Sequence, residues 1–600
     1  MSWKPTPEKI KTSNIGKIMQ KHGFSNYEDF WKWSVTNKEA FWSSTIEELD
    51  IIQHKKYEQI VNTEDGVENA TWLYNASLNI VDSCFKNDGD AIAISYQKTN
   101  KPLQKITQKE LLLLVNKIAN SFTNFNLKIG DCIAINLPMT LESVAIYIAA
   151  VKAGMQVATV ADSFSTKEIK TRFEITKPKL AFTQNVVVRA NKVLPLYEKV
   201  AATSVKNIVV IPEEKYVINL RKQDVLWSNF LSEDPVFESI KSGPQETTTI
   251  LFSSGTTATP KAIPWNHTTP IKAAADAFYY QNIQKNDVVC WPTNLGWMMG
   301  PWLVFAALIN KASIALYYDA PTSKSFGKFI EEAKVTMLGV IPSIVKQWKK
   351  SNCMEQFDWT HIKCFSSTGE VSNPKEMKYL IELAGNKPII EYCGGTEIGG
   401  GYMTSAIVQE NSPSTFSTKT LGGDFIILDE NHNESKKGEV FLIPPILGLS
   451  TRLINKNHHD IYYKNTPKAN VLLRRHGDEI QELENGYFKI LGRIDDAMNL
   501  GGIKVSATQI EEVLNQLNFI SECAAVAIAQ KNVGPSKLIL FYSEKNKELN
   551  DNDRLKAAQA IIKKEINPLF KVTDLVKIDK LPRTASHKIM RRTLKDNYNK

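Results

Sequence analysis

A β-branched run from Thr247 to Ile250 leads into a turn carrying Ser253, Ser254, Gly255, Thr256, Thr257 and Thr259, closed by Pro260 and Lys261. Hydroxyls, free backbone N–H groups and one lysine at a strand end are what a chain of phosphates needs. The segment is not a Walker loop: Pro260 stands where the second glycine of G-x-x-x-x-G-K-[ST] belongs. Two later stretches carry similar interest. GRIDDAMNLGGIKVSATQIEEVL (492–514) contains paired acids and a Gly-Gly turn, and LPRTASHKIMRR (581–592) is a basic tail. Singly, these also read as a polar loop, a solvated linker and an exposed helix start.

Elements that could position such groups are legible in the pattern. From about Asn79, apolar runs (DCIAINL, QVATVA, LAFTQ, VKNIVVI, VVCWPT, SIALYY, MLGVIPS) alternate with amphipathic ones (LESVAIYIAAVKAG, STKEIKTRFEITKP, SFGKFIEEAK). That rhythm is βαβ and predicts α/β architecture with two parallel-type sheets covered by helices. Between Gly401 and Leu491 short strands with Gly, Pro and Asn turns predict a small β subdomain, and after Arg493 the runs suit a compact α+β unit. Aromatics at helical spacing (Tyr27, Phe30, Trp31, Trp33, Phe41, Trp42) predict helices strapped onto the body. The expected division is a helical extension over 1–78, a large domain over 79–494 and a C-terminal domain over 495–600.

At 600 residues the chain is long enough for about four structural units. Seven scattered cysteines without a C-x-x-C pair argue against a disulfide framework or a zinc site and for a reducing compartment. No apolar stretch is long enough for a membrane span. The net charge is +9, and residues 496–600 hold 18 Lys/Arg against 12 Asp/Glu, a local excess of +6. Charge alone leaves nucleic acid, anionic lipid, a polyphosphate ligand or a solvated face open.

The order of these stretches resembles the AMP-forming acyl-CoA synthetases. SSGTTATPKA is similar to that family's phosphate loop, CGGTE (393–397) to its aromatic-Gly-x-Thr-Glu motif, and RRHGDE (474–479) to its Gly-Asp ribose motif. GRIDDAMNLGGIK resembles its hinge and LPRTASHKIMRR its C-terminal lysine loop. The leading helices resemble acetyl-CoA synthetases; WPTNLGWMMGPW resembles plant peroxisomal-type acyl-activating enzymes. The resemblance implies a large domain followed by one that rotates about a hinge at Asp495. It implies ATP, Mg²⁺, CoA and a small carboxylic acid as ligands, and no nucleic acid.

By that resemblance Ser253, Ser254, Gly255, Thr256, Thr257 and Lys261 cradle the phosphates. Glu397 holds Mg²⁺ and Thr396 touches the α-phosphate, within the run Cys393, Gly394, Gly395, Thr396. Gly369 and Glu370 lie along adenine, Asp478 accepts the ribose hydroxyls, and Arg493 and Lys504 lie near the nucleotide. Lys588 bridges the acid and the α-phosphate. Gly502 lines the pantetheine path, while Arg172 and Lys563 meet the CoA 3′-phosphate. Met298, Met299, Thr368 and Gly394 wall the acyl group. Acetyl-CoA synthetases carry tryptophan at the position of Gly394, so an acid larger than acetate, short to medium in chain or aryl-substituted, is expected.

The chain departs from the family pattern at Ala258, Ala262, Cys393, Arg474 and His587. Glu397, Asp478 and Lys588 are intact, which favours an active enzyme over a non-catalytic basic scaffold. The remaining alternative is an adenylating enzyme that loads a carrier-protein phosphopantetheine. The terminus DNYNK is not a peroxisomal S-K-L signal, and a cytoplasmic location is expected.

Overall fold

In the computed structural model, residues 2–253, 259–370, 372–429, 431–493, 497–501, 503–528, 536–545, 549–582, 589 and 591–598 are described. Strands rich in Val, Ile and Ala, such as Cys132–Asn136, are buried along their whole length, as expected where helices cover both faces of a parallel sheet. They assemble into two large sheets.

The first has seven strands in the order Val225–Leu226, Asn207–Ile211, Leu180–Gln184, Cys132–Asn136, Gln156–Thr159, Thr247–Ser253 and Lys261–Asn266. All run parallel except the last, which folds back antiparallel on Thr247–Ser253. The second has nine strands. Its parallel centre runs Ile389–Gly395, Cys364–Ser367, Met337–Val340, Val288–Cys290, Ser313–Tyr317 and Ile92–Gln97. Antiparallel strands close both edges, Gly400–Thr404 and then Thr418–Lys419 on one side and Gln104–Thr107 on the other.

Two helices, Leu141–Lys152 and Met299–Ile309, are apolar nearly all round, and almost every residue of each is buried. A helix without a polar face must sit inside a core. Here that core holds residues of both sheets, Ile133 and Phe182 from one, Val289, Ile314 and Ile390 from the other.

The N-terminal helices Tyr27–Thr36 and Lys38–Glu48 dock through their aromatics, Phe30 and Phe41 packing on Tyr279 at 6.4 and 5.8 Å. The helical extension expected over 1–78 stops at Glu48, however. Beyond it, Gln59–Asn62 pairs antiparallel with Thr71–Tyr74, Val61 beside Trp72, as β-branched and aromatic residues favour.

A four-stranded antiparallel sheet follows, Phe425–Leu428, Lys437–Leu442, Arg474–Glu482 and Phe488–Arg493. The C-terminal portion has its own core. It comprises the hairpin Ala497–Leu500/Ile503–Ser506, a three-stranded sheet and helices including Ala507–Leu514 and Asp551–Glu565. Among the described residues, its contacts with the body include Ser165 Oγ donating to the Glu565 carbonyl at 3.1 Å and Asn499 Nδ2 donating to the Gly369 carbonyl.

Candidate active site

Parallel strands end together, so their carboxyl ends leave a crevice where ligands of open α/β sheets bind. In this chain the crevice is a cavity of about 2160 Å³, bordered at the strand ends by Cys290, Tyr317, Ser367 and Tyr392. The small sheet adds Glu439 and Asp478, and the C-terminal hairpin adds Met498, Asn499 and Ile503.

Glu397 follows the strand Ile389–Gly395, next to Thr396 of the cavity wall. Its Oε1 accepts from Lys261 Nζ at 2.8 Å, Ser253 Oγ at 2.9 Å and Tyr462 OH at 3.2 Å. Three elements thereby converge on one carboxylate. Lys261 and Ser253 pair across the antiparallel turn that brackets the Ser/Thr-rich segment. Asn455 clamps the far end of that turn, accepting from Ala262 N and donating to the Pro260 carbonyl, at 3.0 and 2.8 Å. Arg474 is wholly buried, stacked 3.9 Å over the Tyr462 ring and donating to Ser450 Oγ at 2.8 Å. It supports Tyr462.

Asp478 is buried, with Oδ2 accepting from Tyr402 OH at 2.8 Å. Cys393 Sγ lies 3.8 Å from the same oxygen. Trp265 Nε1 donates to the Thr396 carbonyl at 2.8 Å and so fixes the turn before Glu397. Glu370 accepts from Ser343 N and Oγ at 2.8 and 3.1 Å, and burial raises its carboxyl above the ordinary range.

Comparison with known proteins bears on this arrangement. The family model described as AMP-binding enzyme matches residues 81–445, and that of the acetyl-coenzyme A synthetase N-terminus matches residues 27–84. The chain belongs to the AMP-binding enzyme family. Hexanoyl-CoA synthase of Cannabis sativa is 40% identical over 100% of this chain and 88% of its own length. Probable acyl-activating enzyme 17, peroxisomal, of Arabidopsis thaliana is 40% identical over 99% of this chain and 88% of its own. The solved acetoacetyl-CoA synthetase from Streptomyces lividans shares the fold, with a TM-score of 0.77 at 21% identity, covering 99% of this chain and 94% of that one. This AMP-binding enzyme is an AMP-forming acyl-CoA ligase: ATP and an acid give acyl-adenylate and pyrophosphate, and CoA takes the acyl group.

For this ligase the cavity brings together Ser253, Gly369, Glu370, Cys393, Gly394, Gly395, Thr396, Asp478, Met298, Met299 and Thr368. Ser254, Gly255, Thr256, Thr257, Asp495, Gly502 and Lys588 lie outside the described residues, as do the side chains of Arg493 and Lys504. The backbone of Arg493 pairs with Asp478.

Arg172 and Lys563 stand outside the cavity wall, and Gly394 lies close against the neighbouring strand. Arg172 does not reach the cavity: it is buried, stacked 4.1 Å over Phe164, 3.8 Å from Glu168 and donating to the Glu168 carbonyl at 3.0 Å. Helix Thr166–Thr176 turns it inward because Phe164 and Phe252 offer its guanidinium an apolar bed. Burial dominates both partners, raising Glu168 to about 7 and lowering Arg172. We expect Arg172→Met to cost about 3–5 kcal/mol in a denaturant melt, since Glu168 loses its buried cation. A CoA-phosphate ligand would instead change the KM for CoA. Lys563 is exposed on helix Asp551–Glu565 and absent from the cavity wall.

Gly394 borders the cavity through its backbone only. A Cβ there would stand 1.9 Å from the Gly400 carbonyl oxygen on the adjacent strand, so a side chain at 394 meets that strand first. An indole in place of Gly394 would therefore displace Gly400–Thr404 rather than plug the pocket.

The sequence reading missed Tyr462, Arg189, Asn499 and Glu391. Glu391 sits in the cavity wall, accepting from Ser372 Oγ at 2.6 Å and Ser414 N at 3.2 Å, and burial raises it to about 7. Its one visible signal was an acid inside an otherwise apolar strand, two residues before Cys393.

Proposed function

We propose that this ligase activates an acid with an apolar chain longer than acetate, using Glu397, Asp478 and Lys588 for the first half-reaction. One observation carries the reading. The cavity joins a phosphate-side cluster (Ser253, Thr396) and Asp478 to the apolar side chains of Met298 and Met299. The name of the hexanoyl-CoA synthase relative supports the same chain-length class.

Asp478, already accepting from Tyr402, has the acceptor capacity for two ribose hydroxyls. Glu397 with triphosphate oxygens is the donor set Mg²⁺ favours, and the ion would neutralise phosphate charge. Lys261 and Ser253 already hold that carboxylate in place. The acid oxygen attacks the α-phosphorus and pyrophosphate leaves; Lys588 would stabilise the charge that builds there. In the second half-reaction the CoA thiol, losing its proton, attacks the acyl carbonyl and AMP leaves.

CoA needs a cation at the mouth, and Arg189 suits that role better than Arg172. It borders the cavity, is held by Asp162 at 2.7 Å and keeps a third of its side chain exposed. The hairpin Ala497–Leu500/Ile503–Ser506 facing the cavity suits the orientation in which the lysine loop is withdrawn and the thiol enters.

The test is pyrophosphate release with ATP, Mg²⁺, CoA and straight-chain acids from acetate to dodecanoate. Each methylene added to an apolar pocket it fills is worth about tenfold or more in kcat/KM, so acids of four to eight carbons should exceed acetate by at least that factor. A preference for acetate would overturn the chain-length reading, and no pyrophosphate with any acid would overturn the function.

A further inference from the structure

In the second sheet the Trp291 ring occupies the volume a side chain would take at Gly339, as the Tyr392 ring does at Gly401. Strands Val288–Cys290 and Met337–Val340 run parallel with Val289 beside Met337 and Cys290 beside Leu338. One step further puts Trp291 next to Gly339, on the face opposite Cys290 and Leu338. The indole fills the space a side chain at 339 would take. A Cβ there would fall 1.9 Å from Trp291 Cδ2, and 2.3 and 2.4 Å from its Cε3 and Cγ. No larger residue at 339 is compatible with this ring position.

The ring is held from behind as well. Trp302, wholly buried one turn into helix Met299–Ile309, meets Trp291 edge-on at 5.4 Å and 71°. Tyr392 lies 6.0 Å beyond Trp302, and Tyr392 OH is tied to Asp276 Oδ2 at 2.5 Å. The aromatic row therefore rests on a fixed anchor. Trp291 borders the cavity with Met298 and Met299, yet only 3% of its surface is exposed. Three strand spacings of ~4.8 Å separate it from the strand that bears Cys393 and Gly394, roughly 14 Å. It lies on the side of the cavity away from the strand of Cys393 and Gly394, with Ala315, Leu316 and Tyr317 of the next strand lining the wall beyond it.

We propose that Trp291, seated on Gly339, is the floor of the acyl pocket and sets the longest acid the enzyme accepts. The inference rests on the proposed chain-length reading and goes beyond it by naming the stop. Met298 and Met299 are flexible side walls that adapt to an occupant; Trp291 is wedged between Gly339 and Trp302 and cannot.

Two substitutions should move the chain-length profile in opposite directions. Trp291→Leu removes ring volume from the floor, so the optimum should shift to acids at least two carbons longer, with kcat/KM for the longer acid rising tenfold or more relative to the wild-type optimum. Gly339→Ala drives the indole towards the cavity, so the optimum should shift to shorter acids. The full-length enzyme and both variants are compared by pyrophosphate release across straight-chain acids from acetate to dodecanoate, with KM for ATP and thermal melts measured alongside.

A shifted long-to-short ratio with unchanged KM for ATP supports the proposal. An unchanged ratio in folded Trp291→Leu, or an equal loss for every acid, overturns it and leaves Trp291 a packing residue, even though the wild type remains an active ligase. If Gly339→Ala does not fold, Trp291→Leu alone decides. A wild type inactive with every acid overturns both the functional reading and this one.

Discussion

Glu397→Gln is expected to lower ATP-dependent formation of acyl-adenylate by about 10²–10³, the usual effect of losing one preorganised electrostatic contact to a transition state. The substitution keeps size and shape and removes only the charge. Ser253, Lys261 and Tyr462 all direct donors at Glu397 Oε1, so the amide oxygen can keep some of these bonds and the fold should survive. What disappears is the anionic group beside the Ser/Thr-rich turn, and with it the proposed partner for a phosphate-bound cation. Synthetic acyl-adenylate and CoA bypass that step, and acyl-CoA formation from them should fall far less. The two half-reactions are read separately, as pyrophosphate release and as thioester formation. Near wild-type pyrophosphate release in a folded variant would remove Glu397 from the mechanism.

Asp276→Ala should cause the largest loss of stability. The carboxylate is buried and serves three donors: Lys272 Nζ at 2.6 Å, Tyr392 OH at 2.5 Å and Gly401 N at 2.8 Å. Removing it strands a buried ammonium and two further donors, and breaking a buried ion pair from one side costs about 3–5 kcal/mol. The damage should reach activity, because Tyr392 and Gly401 belong to the paired strands Ile389–Gly395 and Gly400–Thr404, whose connection carries Thr396 and Glu397. Denaturant unfolding followed by near-ultraviolet circular dichroism measures the first effect, and pyrophosphate release the second. The double variant Lys272→Met/Asp276→Ala should recover much of the stability, since it leaves no uncompensated charge. Failure of the double variant to recover would mean that the loss comes from the Tyr392 and Gly401 hydrogen bonds instead.

The alternation of buried strands with amphipathic helices was legible from residue 79 onward because parallel strands covered on both faces must be apolar throughout, and the runs DCIAINL, LAFTQ and MLGVIPS have that composition. The chemistry-bearing runs were legible for a different reason. Ser253 and Thr259 to Lys261, CGGTE and RRHGDE lie in short contiguous segments, so their types and spacing survive in one dimension. Helix was over-read between Leu49 and Leu78, where Val61 and Trp72 face one another across a ribbon and the aromatic density of the preceding helices masked the change of period.

Tertiary structure decided everything that depends on which way a side chain turns. Sequence spacing cannot tell an arginine that reaches solvent from one laid on Phe164 and Phe252, so Arg172 is a buried cation while Arg189 lines the cavity. Nor can it show that a Cβ on Gly394 would strike the Gly400 carbonyl while one on Gly339 would strike Trp291. Those are contacts between strands whose partners are fixed only when the sheet closes, through register and close packing that leave no spare volume. Local sequence determined the class of chemistry; the three-dimensional packing of distant strands decided which residues line the cavity.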